Sequence, residues 1–186
     1  MTYGKLKADH YPPTSKLLHW LIAACVLITI PVAIVMDRMG EGPTQDALYN
    51  LHKSLGVLIF VLMVLRLINR MATGAPAPDP TIERWQKAAS SAVHGLLYVL
   101  LVAMPIGGYL ANSAYGASTP FFGLFELPPI IGHNEALSEK MFAVHTWTGW
   151  AVGVLALMHI GAALQHHFIH RDNVLRRMLP RALGGL

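Results

Sequence analysis

The fold of this chain is decided by residues 142–165, FAVHTWTGWAVGVLALMHIGAALQ. The segment contains no Asp, Glu, Lys or Arg, and it is long enough to cross the apolar core of a bilayer, which takes about twenty residues. Only His145 and His159, fourteen residues apart, bring ionisable groups into it. On a helix the two imidazoles lie about 40° from alignment on one face and about 21 Å apart along the axis. Because a polar ring in an apolar span is costly, this pattern predicts a functional site.

Three further apolar segments place this helix in a bundle of four membrane spans. Residues 17–36 and 92–114 contain no charged side chain, and residues 55–71 contain only Arg66 and Arg70 near their end. Hydrophobic residues make up 54% of the chain and charged residues 13%, about half the charged share of a soluble domain. The sequence therefore predicts an all-α, integral membrane four-helix bundle, although four buried helices of a soluble bundle are an alternative. We expect one domain over residues 1–186, with helices at about 15–37, 46–71, 83–112 and 139–169.

Positive charges are distributed unequally between the two sides of this bundle. The side with both termini and the loop between the second and third helices holds eleven Lys and Arg residues, and the other side holds three. Cytoplasmic loops carry the excess of such residues in membrane proteins. We therefore expect a multi-pass protein with both termini in the cytoplasm, so that in a bacterium the other side is periplasmic. The asymmetry also explains the net charge of +4, and no nucleic-acid partner is predicted.

Alternating helix directions sort four histidines into two pairs. His52, early in the second helix, and His145, early in the fourth, both lie near the periplasmic side. His19, at the start of the first helix, and His159, late in the fourth, both lie near the cytoplasmic side. Two facing imidazoles suit the two axial positions of a haem iron, and helical bundles hold cofactors in this way. The chain has no C-x-x-C-H motif, so two haems would be bound non-covalently.

Small residues follow each of these histidines by one helical turn, as Ala23, Gly56, Gly149 and Ala163. They leave room for a flat cofactor on the same helix face, although ordinary helix packing also selects small residues. Zinc usually takes four ligands that include thiolate, imidazole or carboxylate groups, and no Asp or Glu lies deep in these spans. A histidine-lined metal-ion transporter is therefore a weaker alternative than a haem protein.

Two other features bear on function. His94 starts the third helix at the cytoplasmic level, where it could donate a proton or a hydrogen bond to a quinone, or only bind a haem propionate or a backbone carbonyl. The long segment 112–138 is rich in proline and aromatic residues. It is expected to be either a cap over the periplasmic haem or an irregular loop with aromatics at the lipid headgroups.

These residues resemble the bacterial cytochrome b561 family, small four-helix dihaem proteins of the inner membrane. The resemblance covers nearly the whole chain and is carried by His19-Trp20, His52 with Gly56, Arg66 and Arg70, His94 with Tyr98, Pro105 and Gly107, His145, His159, His166-His167 and the tail DNVLRRMLP at 172–180. It implies two haems b, with His19, His52, His145 and His159 as the axial iron ligands. It also implies ubiquinone as the electron acceptor and the bacterial inner membrane as the location.

The resemblance extends to superoxide oxidase, which implies a more specific oxidoreductase reaction. Superoxide would be oxidised to dioxygen on the periplasmic side, and electrons would pass through the haems to ubiquinone. Lys53 and His94 are then the candidate catalytic residues. An anionic donor is attracted by positive potential, but six acidic residues on the predicted periplasmic side outnumber three basic ones, and the donor is therefore left open. The expected partners are membrane lipid, a quinone and a periplasmic electron donor.

A second function is consistent with the same residues. The fourteen-residue spacing of His145 and His159 is similar to that in b-type subunits of hydrogenases and formate dehydrogenases. The alternative is therefore a membrane-anchor cytochrome b subunit of such a complex, which would need a docking surface for a large soluble partner.

Overall fold

The computed structural model describes residues 10–77 and 82–185, which form four long helices and one short β-hairpin. The helices are α1 (Pro13–Arg38), α2 (Pro43–Thr73), α3 (Arg84–Tyr115) and α4 (Glu135–Gln165). Between α3 and α4, strand β1 (Thr119–Phe121) pairs antiparallel with β2 (Phe125–Leu127). Each helix is long and apolar enough to cross a membrane. The predicted all-α membrane bundle is confirmed, and the protein is a multi-pass membrane protein.

Local capping chemistry sets the helix ends beside the hairpin. Gly116 ends α3 in a left-handed conformation with φ +92°, which glycine adopts without steric cost. Asn134 precedes α4, and its side-chain oxygen accepts a hydrogen bond from the Leu137 amide at 3.0 Å. As a result α3 ends three residues later, and α4 begins four residues earlier, than composition alone predicted. The connection between α3 and α4 is therefore shorter than predicted, and part of it forms the β-hairpin.

The hydrophobic core is formed by the first three helices. Ile22 and Val26 of α1 are buried against Ile59 and Met63 of α2, and Tyr98 of α3 packs on the same cluster. Helix α4 packs along α3. Within the described residues, the backbone of α4 makes at most marginal contact with α1 and α2. A seam therefore runs between α4 and the α1–α2 pair, and side chains rather than backbones face each other across it.

The start of α1 and the end of α4 lie at one end of the bundle, called here the termini end, and the β-hairpin marks the opposite, hairpin end. After α4, residues His166–His170 form one turn of π-helix, and Arg171 follows in a left-handed conformation with φ +54°. The tail then returns to α1, where Trp20 Nε1 donates to the Met178 carbonyl at 3.0 Å and Lys16 Nζ to the Leu179 carbonyl at 2.9 Å. The tail is thus fastened over the start of α1.

Candidate haem sites

At the hairpin end, the seam brings together the imidazoles of His52 on α2 and His145 on α4. Their ring centres are 6.1 Å apart, and their planes are inclined by 77°. With metal–nitrogen bonds of about 2.0–2.1 Å, as for zinc, two imidazoles on opposite sides of one metal have ring centres about 6.3 Å apart. The separation therefore fits a single iron between the two rings.

The hydrogen-bonding state of these two rings also fits axial ligation. Within the described residues, the buried Nδ1 atoms of His52 and His145 have no hydrogen-bond partner, and a buried polar atom without a partner is costly. A backbone acceptor lies near each ring, from Thr29 for His52 and from Met104 for His145. Neither carbonyl accepts a hydrogen bond from Nδ1. A backbone carbonyl is nevertheless the usual second partner of a metal-ligating histidine, so its position near each ring is consistent with a metal held at Nε2.

Glycines make space for the His145 ring. A Cβ atom on Gly108 of α3 would lie only 2.9 Å from His145 Cε1, so any other residue there would push the imidazole away. Gly56, one turn after His52, has open space beside it, with no atom within 4 Å of an added Cβ. Gly149, one turn after His145, faces the Met104 methyl at 3.6 Å. Gly56 therefore leaves open space one turn from His52, whereas Met104 occupies the space beside Gly149.

At the termini end, the seam brings together His19 of α1 and His159 of α4. Their ring centres are 6.0 Å apart and their planes are inclined by 81°, nearly the same geometry as in the other pair. The sequence placed these four histidines in the same two pairs. Trp20, beside His19, donates its indole N–H to the Met178 carbonyl of the tail, so this N–H already has a hydrogen-bond acceptor.

The termini-end pair has a third imidazole next to it. The His94 ring centre on α3 is 5.0 Å from that of His159. His94 Nδ1–H donates to the Ser90 carbonyl at 2.6 Å, one turn earlier on the same helix. In a neutral imidazole this bond keeps the hydrogen on Nδ1 and leaves Nε2 as the acceptor. The bond therefore makes Nε2 the nitrogen that can accept a proton or a hydrogen bond.

Arg66 ties three helices together near this imidazole cluster. Its Nε donates to the Tyr98 hydroxyl of α3 at 3.1 Å, and an η-nitrogen donates to the Ser15 carbonyl of α1 at 3.0 Å. The Asn69 amide adds a bond to the Ser15 hydroxyl at 2.6 Å. Arg66 is therefore engaged in protein contacts, and the Arg70 guanidinium lies 6.0 Å from the Tyr11 ring centre. Arg171 lies on the exposed tail.

The β-hairpin docks on the turn of α2 that carries His52. The buried Ser54 hydroxyl accepts a hydrogen bond from the Phe122 amide at 2.9 Å and lies 3.1 Å from the Pro120 carbonyl. Phe122 itself has φ +49°, an unusual conformation for an aromatic residue. Lys53 is within electrostatic reach of Glu126 on β2. Of the segment 112–138, residues 119–127 thus form an ordered hairpin beside His52, whereas residues 128–134 have no regular secondary structure.

Three residues that support the candidate sites were not identified from the sequence. Ser90 accepts the hydrogen bond of His94, and its spacing of four residues on one helix was a usable signal. Ser54 anchors the hairpin through a contact between residues 68 positions apart, for which the sequence gives no signal. The close approach of Gly108 to His145 likewise depends on how α3 meets α4.

The described residues offer no ligand cluster for a bare metal ion such as zinc. Among the described residues, no group of three or more His, Cys, Asp or Glu side chains is arranged to hold a metal ion. The two seam sites offer two imidazoles each, which fits a planar tetrapyrrole iron better than a tetrahedral zinc ion.

Comparisons with known proteins agree with this geometry. The chain matches the family model for prokaryotic cytochrome b561 over residues 10–181. It is 34% identical to "Cytochrome b561 homolog 2" of Escherichia coli K12, over 94% of this chain and 93% of the relative. It is 33% identical to "Cytochrome b561 homolog 1" of the same strain, over 93% of this chain and 98% of the relative. It is 28% identical to "Probable superoxide oxidase CybB" of Yersinia pestis, over 90% of this chain and 94% of the relative.

Proposed function

Because the chain belongs to the prokaryotic cytochrome b561 family, we propose that it carries two haems b and passes electrons across the membrane to a quinone. Membership makes the protein a haem-binding membrane electron-transfer protein. The finer proposal is carried by one observation, the two pairs of facing imidazoles with ring centres 6.1 Å and 6.0 Å apart. Each pair lies at a different end of the same seam.

The four histidines are proposed to hold one haem at each end. His52 and His145 would be the axial ligands at the hairpin end, and His19 and His159 those at the termini end. When bound, haem iron supplies one-electron redox chemistry. The chain supplies the ligands, fixes their separation of about 21 Å along α4, and surrounds both sites with apolar helices that keep water away from the path.

The proposed orientation has both termini in the cytoplasm of a bacterium and the hairpin end in the periplasm. It is supported by the eleven Lys and Arg residues on the termini side, against three on the hairpin side. In this orientation electrons enter beside the hairpin and leave beside His94. The membrane is then the bacterial inner membrane.

His94 is proposed to serve the quinone at the termini end. The carbonyl of Ser90 holds the hydrogen on Nδ1, so Nε2 can pass a proton to or from a bound quinone. Its ring lies 5.0 Å from that of His159, which would put the proton donor next to the electron exit. A quinone needs two protons with its two electrons, and they would come from the cytoplasmic side.

Superoxide is the donor that we propose for the hairpin end. The proposal is supported by 28% identity to a relative named as a probable superoxide oxidase. Two superoxide anions would lose one electron each to give dioxygen, and these two electrons would reduce one quinone. Lys53, next to His52, would attract the anion, although Glu126 offsets part of its charge.

The haem proposal is tested by an absorbance spectrum of the purified protein, dithionite-reduced minus oxidised, with haem counted per chain. We expect two low-spin haems b per polypeptide. A colourless preparation, or a single haem per chain, would contradict it. The donor is tested separately by superoxide-dependent quinone reduction with Lys53→Gln, which should lower kcat/KM but leave both haems in place. Activity of the protein purified alone would also argue against the membrane-anchor alternative.

A further inference from the structure

The tail after α4 forms a cleft at the edge of the membrane span. The apolar span that includes α4 runs to His170, and the left-handed Arg171 turns the chain back toward α1. The bonds from Trp20 and Lys16 to the Met178 and Leu179 carbonyls hold the returning segment in place. The cleft is therefore a built feature of the fold, at the level where lipid headgroups meet the protein.

The lining of this cleft is basic. It has a volume of about 320 Å³, and the residues that line it are His167, Phe168, Arg171, Asp172 and Arg176. The single carboxylate is already engaged, because Asp172 pairs with His166 Nδ1 at 2.5 Å and accepts the Val174 amide at 3.0 Å. In the part of the chain that the structure describes, Arg171 and Arg176 have no acidic partner within ion-pair distance. Two guanidinium groups thus line the cleft against one carboxylate, which is hydrogen-bonded to His166 and Val174 rather than to either arginine.

Apolar side chains stand next to these cations. Phe168 and Ile169 are 68% and 72% exposed, on the last turn before the chain leaves the span. Guanidinium groups bind phosphate through paired hydrogen bonds, and basic pockets at the ends of membrane helices hold anionic lipid headgroups. We propose that this cleft binds the phosphate of an anionic phospholipid, with Arg171 and Arg176 on the phosphate and Phe168 and Ile169 against the acyl chains.

The proposal is independent of the electron donor and of the quinone. Two other anions can accept the same hydrogen bonds from arginine. They are a free phosphate ion and a propionate of the proposed haem at the termini end. The lipid is favoured because exposed aromatic and aliphatic side chains adjoin the cations. A free phosphate would not use these side chains, and a haem between His19 and His159 would lie within the seam rather than against exposed side chains on the tail side. The experiment is arranged so that each occupant gives a different result.

The test is native mass spectrometry of the haem-loaded protein in detergent, titrated with phosphatidylglycerol, phosphatidylcholine or inorganic phosphate. We expect tight binding of one phosphatidylglycerol, weak binding of phosphatidylcholine, and no displacement by millimolar phosphate. The double variant Arg171→Asn/Arg176→Gln should bind phosphatidylglycerol at least about tenfold more weakly. Asparagine is chosen at 171 because it tolerates the left-handed backbone found there.

The matched control is Arg38→Gln/Arg84→Gln, which removes two exposed arginines that do not line the cleft. It should bind phosphatidylglycerol as the unaltered protein does. Equal affinity of the cleft variant and the control would overturn the proposal, as would displacement of the lipid by phosphate. If the cleft variant lost haem or shifted a haem potential with lipid binding intact, the arginines would serve a propionate. If the double variant failed to fold, Arg171→Lys alone should still weaken lipid binding. Lysine keeps the positive charge but cannot make the paired hydrogen bonds of a guanidinium to phosphate.

Discussion

The two ends of the seam hold nearly identical imidazole pairs in different surroundings. At the hairpin end, His52 and His145 face each other 6.1 Å apart, beside a docked hairpin. At the termini end, His19 and His159 face each other 6.0 Å apart, and His94 lies against them. The pair geometry is the common requirement, and the third imidazole is the difference. In the proposed function, the difference teaches that two rings at each end would hold a haem, whereas proton exchange with a quinone would need a further ring that does not bind the metal.

The largest effect on the comparison of the two ends is expected when one of the four proposed haem-binding histidines is replaced. His52→Ala and His145→Ala should each abolish the hairpin-end haem, and His19→Ala and His159→Ala the termini-end haem, so that haem per chain falls from two to one. The physical reason is the loss of one axial bond and of the ring that spans the seam. Haem content and the spectrum of the remaining haem measure the effect. Loss of the same haem in His52→Ala and His159→Ala would show that the pairing is wrong.

The third imidazole gives the next largest effect. His94→Asn should lower quinone reduction by roughly 10²-fold, the range for loss of a general acid or base, while both haems stay bound. Steady-state quinone reduction and the haem spectrum are measured together. His133→Asn is the matched control, because that histidine is exposed at the hairpin end, where it donates a hydrogen bond to the Tyr115 carbonyl. A loss of haem in His94→Asn would mean that the ring is structural.

Two neighbouring glycines of α3 allow the hairpin-end site to be disturbed without changing the termini-end site. Gly108→Ala places a methyl group 2.9 Å from His145 Cε1, whereas an added Cβ on Gly107 meets no atom within 4 Å. Overpacking of this kind costs about 1–3 kcal/mol. We expect Gly108→Ala to shift the midpoint potential and lower the occupancy of the hairpin-end haem alone, and Gly107→Ala to leave both haems unchanged. Equal behaviour of the two variants would show that the His145 ring moves freely.

The smallest effect concerns the hairpin. Ser54→Ala removes the buried hydroxyl that accepts from the Phe122 amide, and loss of such a hydrogen bond costs about 1 kcal/mol. Hydrogen exchange at residues 119–127 should become faster while the haem content stays at two. Ser91→Ala, at an exposed site on α3, is the control and should change nothing. Unchanged exchange in Ser54→Ala would mean that the strand pairing alone holds the hairpin.

The sequence predicts the fold well because membrane spans are read from composition over long windows. It also predicts the histidine pairs, since alternating helix directions fix the depth of His19, His52, His145 and His159. It does not predict the hairpin, whose anchor joins Ser54 to a residue 68 positions away. Nor does it give the α3 and α4 ends, which depend on single caps at Gly116 and Asn134 rather than on hydrophobicity.

The seam between α4 and the first two helices has a consequence for biogenesis. Helices α1, α2 and α3 share a packed core, and α4 packs along α3. Across the seam, His145 of α4 faces His52 of α2, and His159 of α4 faces His19 of α1. Insertion of the tetrapyrroles would therefore be the step that fastens this seam, because each haem would join α4 to one of the first two helices. Cells short of haem should accumulate less of this protein, because membrane proteases would clear chains in which the seam was not yet fastened.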